Sequence, residues 1–174
     1  MAVWTLYSHP WVLAKGRPVF GNLVHLSGGV FQFLLGYVVL RPVDATGFFL
    51  ALYFAGIFAA GHLNHEVMDH DADKLMGLRT NAVVFGPKKM LYVAFAFFTL
   101  WAAYIAALTV SRVLPVVWTW PFLAIFPFHA IALAVFRPGP TETYRMEYQK
   151  LYRALYLTAG LVVLTTRIAR LAFV

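Results

Sequence analysis

The sequence predicts an all-α protein, a polytopic transmembrane bundle of about five helices. Three observations carry that prediction. Of the 174 residues, 61% are hydrophobic and only 12% are charged, far from the balance of a soluble domain. The charges fall in short clusters. Between them run apolar stretches of roughly 20 residues, the length a helix needs to cross about 30 Å of hydrocarbon at 1.5 Å per residue.

Taken in order, residues 1–18 read as a polar loop holding Tyr7, His9, Lys15 and Arg17, without the apolar core and small-residue site of a signal peptide. Residues 20–40 form the first expected span and residues 46–65 the second. Gly21, Gly28, Gly29 and Gly36 in the first, and Gly47, Gly56 and Gly61 in the second, allow close helix approach in lipid. This pair is expected at the centre. Residues 65–89 read as an acidic loop and residues 90–111 as the third span. Residues 115–136, the fourth, contain Pro115, Pro121 and Pro127, each lacking a backbone donor and able to kink a helix. Trp118 and Trp120 suit the aromatic belt at an interface. The turn Arg137-Pro-Gly-Pro140 ends that helix, and residues 151–173 form the fifth span. Residues 1–174 read as a single membrane domain.

Five crossings put the amino terminus, the 65–89 loop and the 137–153 loop on one side. Ten of the 14 Lys and Arg residues lie there, which makes that side cytoplasmic. The net charge of +7 therefore has a topological origin, and no nucleic-acid partner is called for; contact between these cations and membrane lipids is compatible with it. The absence of cysteine removes disulfides, thiolate metal sites and cysteine nucleophiles together.

Four of the seven Asp and Glu residues, Glu66, Asp69, Asp71 and Asp73, fall within eight positions. If the second helix continues past the membrane, Glu66, Asp69 and Asp73 stand at i, i+3 and i+7 and share one face. Converging carboxylates repel unless a cation or proton intervenes. Hard oxygen ligands suit Mg²⁺, held by one or two carboxylates plus substrate phosphates. Lys74 and Arg79 follow directly, and Lys15 and Arg17 lie on the same side, so a diphosphate is a fitting ligand. One alternative is a solvated helix end that binds nothing. Another is a zinc site from His62, His65, Glu66 and Asp69, although the second His of the zinc-protease helix motif is missing. His25 and His129, isolated in apolar runs, read as hydrogen-bonded packing residues, and His9 and His70 as solvated ones.

The run from Asn64 to Gly86, with Asp69 and Asp73 as DxxxD, then Gly77, Arg79, Thr80 and Gly86, resembles the second aspartate-rich motif of the UbiA-type intramembrane prenyltransferases. Tyr7 and Lys15-Gly-Arg17-Pro18 are similar to the loop before that family's fifth membrane helix. The resemblance covers essentially the whole chain, as the carboxy-terminal half of a family member. It implies a bundle in which two aspartate-rich motifs bind magnesium and a prenyl diphosphate together. Asp69 and Asp73 would hold metal with support from Asn64 and Glu66. Lys15, Arg17, Lys74 and Arg79 would contact diphosphate, and Tyr7 would steer the reacting end. The prenyl group would pass to an aromatic or lipid acceptor through electrostatic stabilisation and positioning, with no nucleophilic side chain. Tyr53, Phe54, Phe58, Tyr92 and Phe95 would shelter an isoprenoid or serve as packing.

The remaining carboxylates, Asp44, Glu142 and Glu147, do not make a first motif. The expected function is therefore a partial or split prenyltransferase-like protein that needs a partner chain. The alternative is a non-catalytic structural subunit of a larger energy-converting or pigment-binding membrane complex built from the same fold.

Overall fold

The computed structural model describes Thr5, residues 16–135 and residues 142–172, and among these the chain is helical with no strand. Eight helices follow in order: α1 (Phe20–Leu40), α2 (Ala45–Met68), α3 (His70–Leu75), α4 (Asn81–Phe85), α5 (Pro87–Val110), α6 (Val116–Leu123), α7 (Phe126–Val135) and α8 (Glu142–Ala172). Three of them, α1, α2 and α5, are long and apolar enough to cross a membrane. The chain divides after Trp101 into two compact units.

In the first unit α1 and α2 form a helical hairpin, joined through a connection organised by one side chain. Asp44 caps α2 by accepting the Gly47 N–H at 2.8 Å. It also accepts the Tyr37 hydroxyl at 2.9 Å and the Arg41 guanidinium at 2.7 Å. An aspartate here satisfies donors that the first helical turn cannot pair internally. Along the hairpin, a Cβ added to Gly29 would meet Ala55 Cα at 2.9 Å, too close for any side chain. Half of the apolar window of α2 is buried, against 22% in α1 and in α5, so α2 is the central helix. Leu63 and Val67 of α2 pack with Ala82 of α4 and with Met90 and Ala94 of α5. On α1, Phe31, Leu35 and Val39 remain exposed, the surface a bilayer would cover.

The second unit departs from the sequence reading in two places. Residues 115–136 do not form one kinked helix. Pro115 is the N-cap of α6, and the chain breaks at Ala124 and Ile125 before α7, whose second residue is Pro127. A proline at that position lacks the N–H that would continue the ladder, so the break falls just ahead of it. The last helix starts at Glu142, nine residues before the expected residue 151, and runs for 31 residues. The expected turn at 137–140 lies outside the described residues. His129 is buried against α8: its Nδ1 is 2.8 Å from the Tyr148 hydroxyl and its Nε2 is 3.4 Å from that of Tyr156.

The 65–89 segment, expected as a loop, is mostly helical. α2 runs three residues further than expected, to Met68, and α3 and α4 occupy much of the remainder.

Candidate functional site at the end of the central helix

Where α2 ends, the helical hydrogen-bond ladder bends without being lost. Asp69 is the C-cap, at φ −82° and ψ 2°. Its N–H donates to the His65 carbonyl at 3.0 Å, and the Asp73 N–H donates to the Asp69 carbonyl at 2.7 Å. Among the described residues no three His, Asp or Glu side chains stand close enough to hold one ion. The expected convergence of Glu66, Asp69 and Asp73 is not formed.

Glu66 turns instead to the start of α4. Its Oε2 accepts the Asn81 main-chain N–H at 2.8 Å, and its Oε1 accepts the Asn81 side-chain amide at 3.1 Å. His62 Nε2, one turn earlier, lies 3.1 Å from the same Oε1. Glu66 is only 5% exposed, and a buried carboxylate is costly unless donors surround it in this way. The two hydrogen bonds from Asn81 make Glu66 a clasp between α2 and α4, which draws its oxygens away from a carboxylate cluster.

Asn81 extends the clasp toward the amino terminus, because its Oδ1 accepts the Val19 N–H at 2.7 Å. Three residues earlier on each strand of chain, a Cβ on Gly16 would lie 4.0 Å from Leu78 Cδ2. Residues 16–19 therefore run alongside residues 78–81. Arg17 and Arg79 both fall between these two anchors, and both are exposed. The chain enters this stretch through Gly77 at φ 70°, a left-handed conformation that glycine adopts without steric cost, and Leu78 N–H donates back to the Asp73 carbonyl at 2.9 Å.

Behind the clasp, the rings of His25 and His62 stack at 3.6 Å and 6°. His25 Nδ1–H donates to the Gly21 carbonyl at 3.1 Å, which fixes its tautomer. From the sequence alone His25 reads as packing, Asn81 does not stand out, and His62 enters only the zinc alternative. The available signal was the i, i+4 spacing of His62 and Glu66 inside an apolar helix, where ionisable residues seldom lie without partners.

The other expected site residues fall into three groups. Asp69, Lys74, Arg17 and Arg79 are accessible: the Asp69 side chain is 40% exposed and lies 3.5 Å from His65. Asp73 and Asn64 are buried, at 1% and 4% exposure, and the Asn64 amide makes no hydrogen bond among the described residues. Tyr7 and Lys15 lie outside the described residues. His70, expected to be solvated, has a 17% exposed side chain, with Nδ1 2.6 Å from Asp71 Oδ1.

Carboxylate and amide oxygens are the hard donors magnesium takes, and an unpartnered buried amide such as that of Asn64 is a group that still lacks a ligand or donor. The donor chemistry therefore fits magnesium, while the arrangement supplies part of a coordination set rather than all of it.

The chain's three long apolar helices define a helical multi-pass membrane protein. The family model described as the UbiA prenyltransferase family matches residues 1–166. The chain belongs to that family. Comparison with curated proteins and with solved structures gives no match.

Proposed function

We propose that this chain binds a prenyl diphosphate at the end of α2 and serves in transferring its prenyl group to an aromatic or lipid acceptor. The observation that carries this reading is the pairing of residues 16–19 with residues 78–81. Arg17 and Arg79, far apart in sequence, each lie within the two segments so paired, and together they would meet one diphosphate. Guanidinium groups match phosphate oxygens in geometry and charge. Lys74 would add a third cation, and the family resemblance assigns Lys15 and Tyr7 to the same role.

Asp69 and Asp73, with Asn64, would hold magnesium, which supplies neutralisation of the leaving diphosphate. Glu66 is withdrawn from the metal set proposed from the sequence, since its oxygens are taken by Asn81. In the transfer, the carbon–oxygen bond to diphosphate breaks and its electron pair leaves with the diphosphate. A π-electron pair of the acceptor forms the new bond to the allylic carbon, and the acceptor then loses a proton. The chain's part is to bind, orient and exclude water. The first acidic motif comes from polypeptide outside these 174 residues. The acidic stretch and the amino terminus face the cytoplasm, following the distribution of Lys and Arg.

A second reading, a non-catalytic subunit of a larger membrane complex, is favoured by one observation: Asp73 is closed in by its own chain. Titrating purified protein with geranyl diphosphate and magnesium separates the two. Saturable binding that disappears in Asp69→Asn supports the enzyme reading; no binding, even with a companion chain carrying the complementary acidic motif, supports the structural one.

A further inference from the structure

The first unit contains a second feature, apart from the acidic stretch. Helices α1, α2, α4 and α5 border a cavity of about 340 Å³, within the size range of ligand pockets. Its walls are apolar, with Leu26, Leu63 and Phe97 among them, and its polar groups come from Asn22 and Asn81. Asn22 Oδ1 is buried there and accepts no hydrogen bond among the described residues. Leu23 also lines the cavity and is 53% exposed, so the cavity opens sideways onto the apolar surface that a bilayer would cover.

Phe85 connects this cavity to a second, open depression formed with Lys88, Lys89 and Tyr92. The Lys89 ammonium lies 5.6 Å from the centre of the Phe85 ring. Both lysines are exposed and stand in the first turn of α5, which holds no acidic residue. The positive end of a helix dipole disfavours cations and favours anions. Two lysines at that position, with no carboxylate lining the depression among the described residues, leave a concentration of positive charge that an anion would relieve.

We propose that the cavity holds a hydrocarbon chain of an anionic membrane phospholipid, with the lipid phosphate resting against Lys88 and Lys89. The lateral opening, the apolar walls and the basic rim match the three parts of such a molecule in order. A prenyl diphosphate fits less well, because among the described residues neither the cavity nor the depression is lined by a carboxylate to hold the accompanying metal. The site shares Val19 and Asn81 with the clasp on Glu66 but uses neither Asp69 nor Asp73, and it does not require the prenyltransferase reading.

The test is native mass spectrometry of the full chain released from nanodiscs of equimolar dioleoyl phosphatidylglycerol and dioleoyl phosphatidylcholine. Retention of one phosphatidylglycerol in preference to phosphatidylcholine is expected. The Lys88→Ala/Lys89→Ala variant should retain it about thirty-fold less, the effect of two cations near an anionic surface, and Lys88→Arg/Lys89→Arg should restore it. Val93→Trp, which fills the cavity, should lose both lipids, while Asp69→Asn should leave retention unchanged. Equal retention of the two lipids, indifference to the double alanine variant, or loss in Asp69→Asn would overturn the proposal. Displacement of the bound lipid by geranyl diphosphate with magnesium would also overturn it, by assigning the cavity to the prenyl substrate.

Discussion

Glu66 and Asn81 are joined twice across fifteen residues of sequence, once through the Asn81 main-chain N–H and once through its side-chain amide. The same asparagine receives the Val19 N–H, so one residue holds the end of α2, the start of α4 and the approach to α1 together. Replacing Asn81 by Ala strips one donor from a buried carboxylate and one acceptor from a main-chain N–H. A loss of about 1–3 kcal/mol follows from leaving such groups unsatisfied. Thermal unfolding in detergent should show it, with Asn81→Asp worse still, since it sets a second carboxylate against Glu66.

The two aspartates of the DxxxD pair should respond differently to substitution. Asp69 is accessible, and Asp69→Ala should weaken diphosphate binding on the order of a hundredfold, the scale of removing one preorganised electrostatic group, without changing the unfolding temperature. Asp73 is 1% exposed, so Asp73→Ala should lower both binding and stability. Calorimetric titration beside thermal unfolding separates these outcomes. Equal effects of the two substitutions on stability would contradict the difference in burial.

Arg17 and Arg79 lie on neighbouring chain segments, so alanine at either should weaken diphosphate binding, and the double substitution should cost less than the sum of the singles. Non-additivity is what two residues sharing one ligand produce. Strict additivity in the titration would mean that they do not meet at one anion.

Acid should loosen the α1–α2 connection through Asp44. The Gly47 N–H, foremost, and then the Tyr37 hydroxyl hold its carboxyl below the ordinary aspartate value of 3.8. A depressed value in the folded state means that the stabilisation is complete above the unfolded value and is lost as pH falls through the folded one. Unfolding of the wild type should therefore shift only below about pH 4, and Asp44→Ala should remove that component of the pH dependence.

Gly29→Val should force α1 and α2 apart. The added side chain meets the Ala55 backbone, which cannot rotate away, and overpacking of this kind costs about 1–3 kcal/mol. Gly36→Val on the same helix, where nothing lies within 4 Å of the added Cβ, is the control and should be much milder.

Much of this architecture is written in local composition. The apolar run 20–40, bounded by Pro18 and Arg41, is helical from Phe20 to Leu40, because the same residues that favour lipid also leave the backbone no partners but its own. The concentration of acids after residue 65 likewise marked the region where chemistry was to be sought. Prolines marked the weak point near residue 125, though not that it would separate two helices.

What the sequence alone determined was the all-helical membrane character, the family to which the chain belongs, and the address of the acidic stretch, all properties of neighbouring residues. Tertiary structure decided which acids remain available. A straight-helix reading placed Glu66 with Asp69 and Asp73, whereas packing of α4 against α2 delivered Asn81 to Glu66 and removed it from the set. The partner that captured the carboxylate sits fifteen positions away, and no periodicity within one helix encodes a contact between two. The same holds for the segments that carry Arg17 and Arg79, joined through the hydrogen bond between Val19 and Asn81.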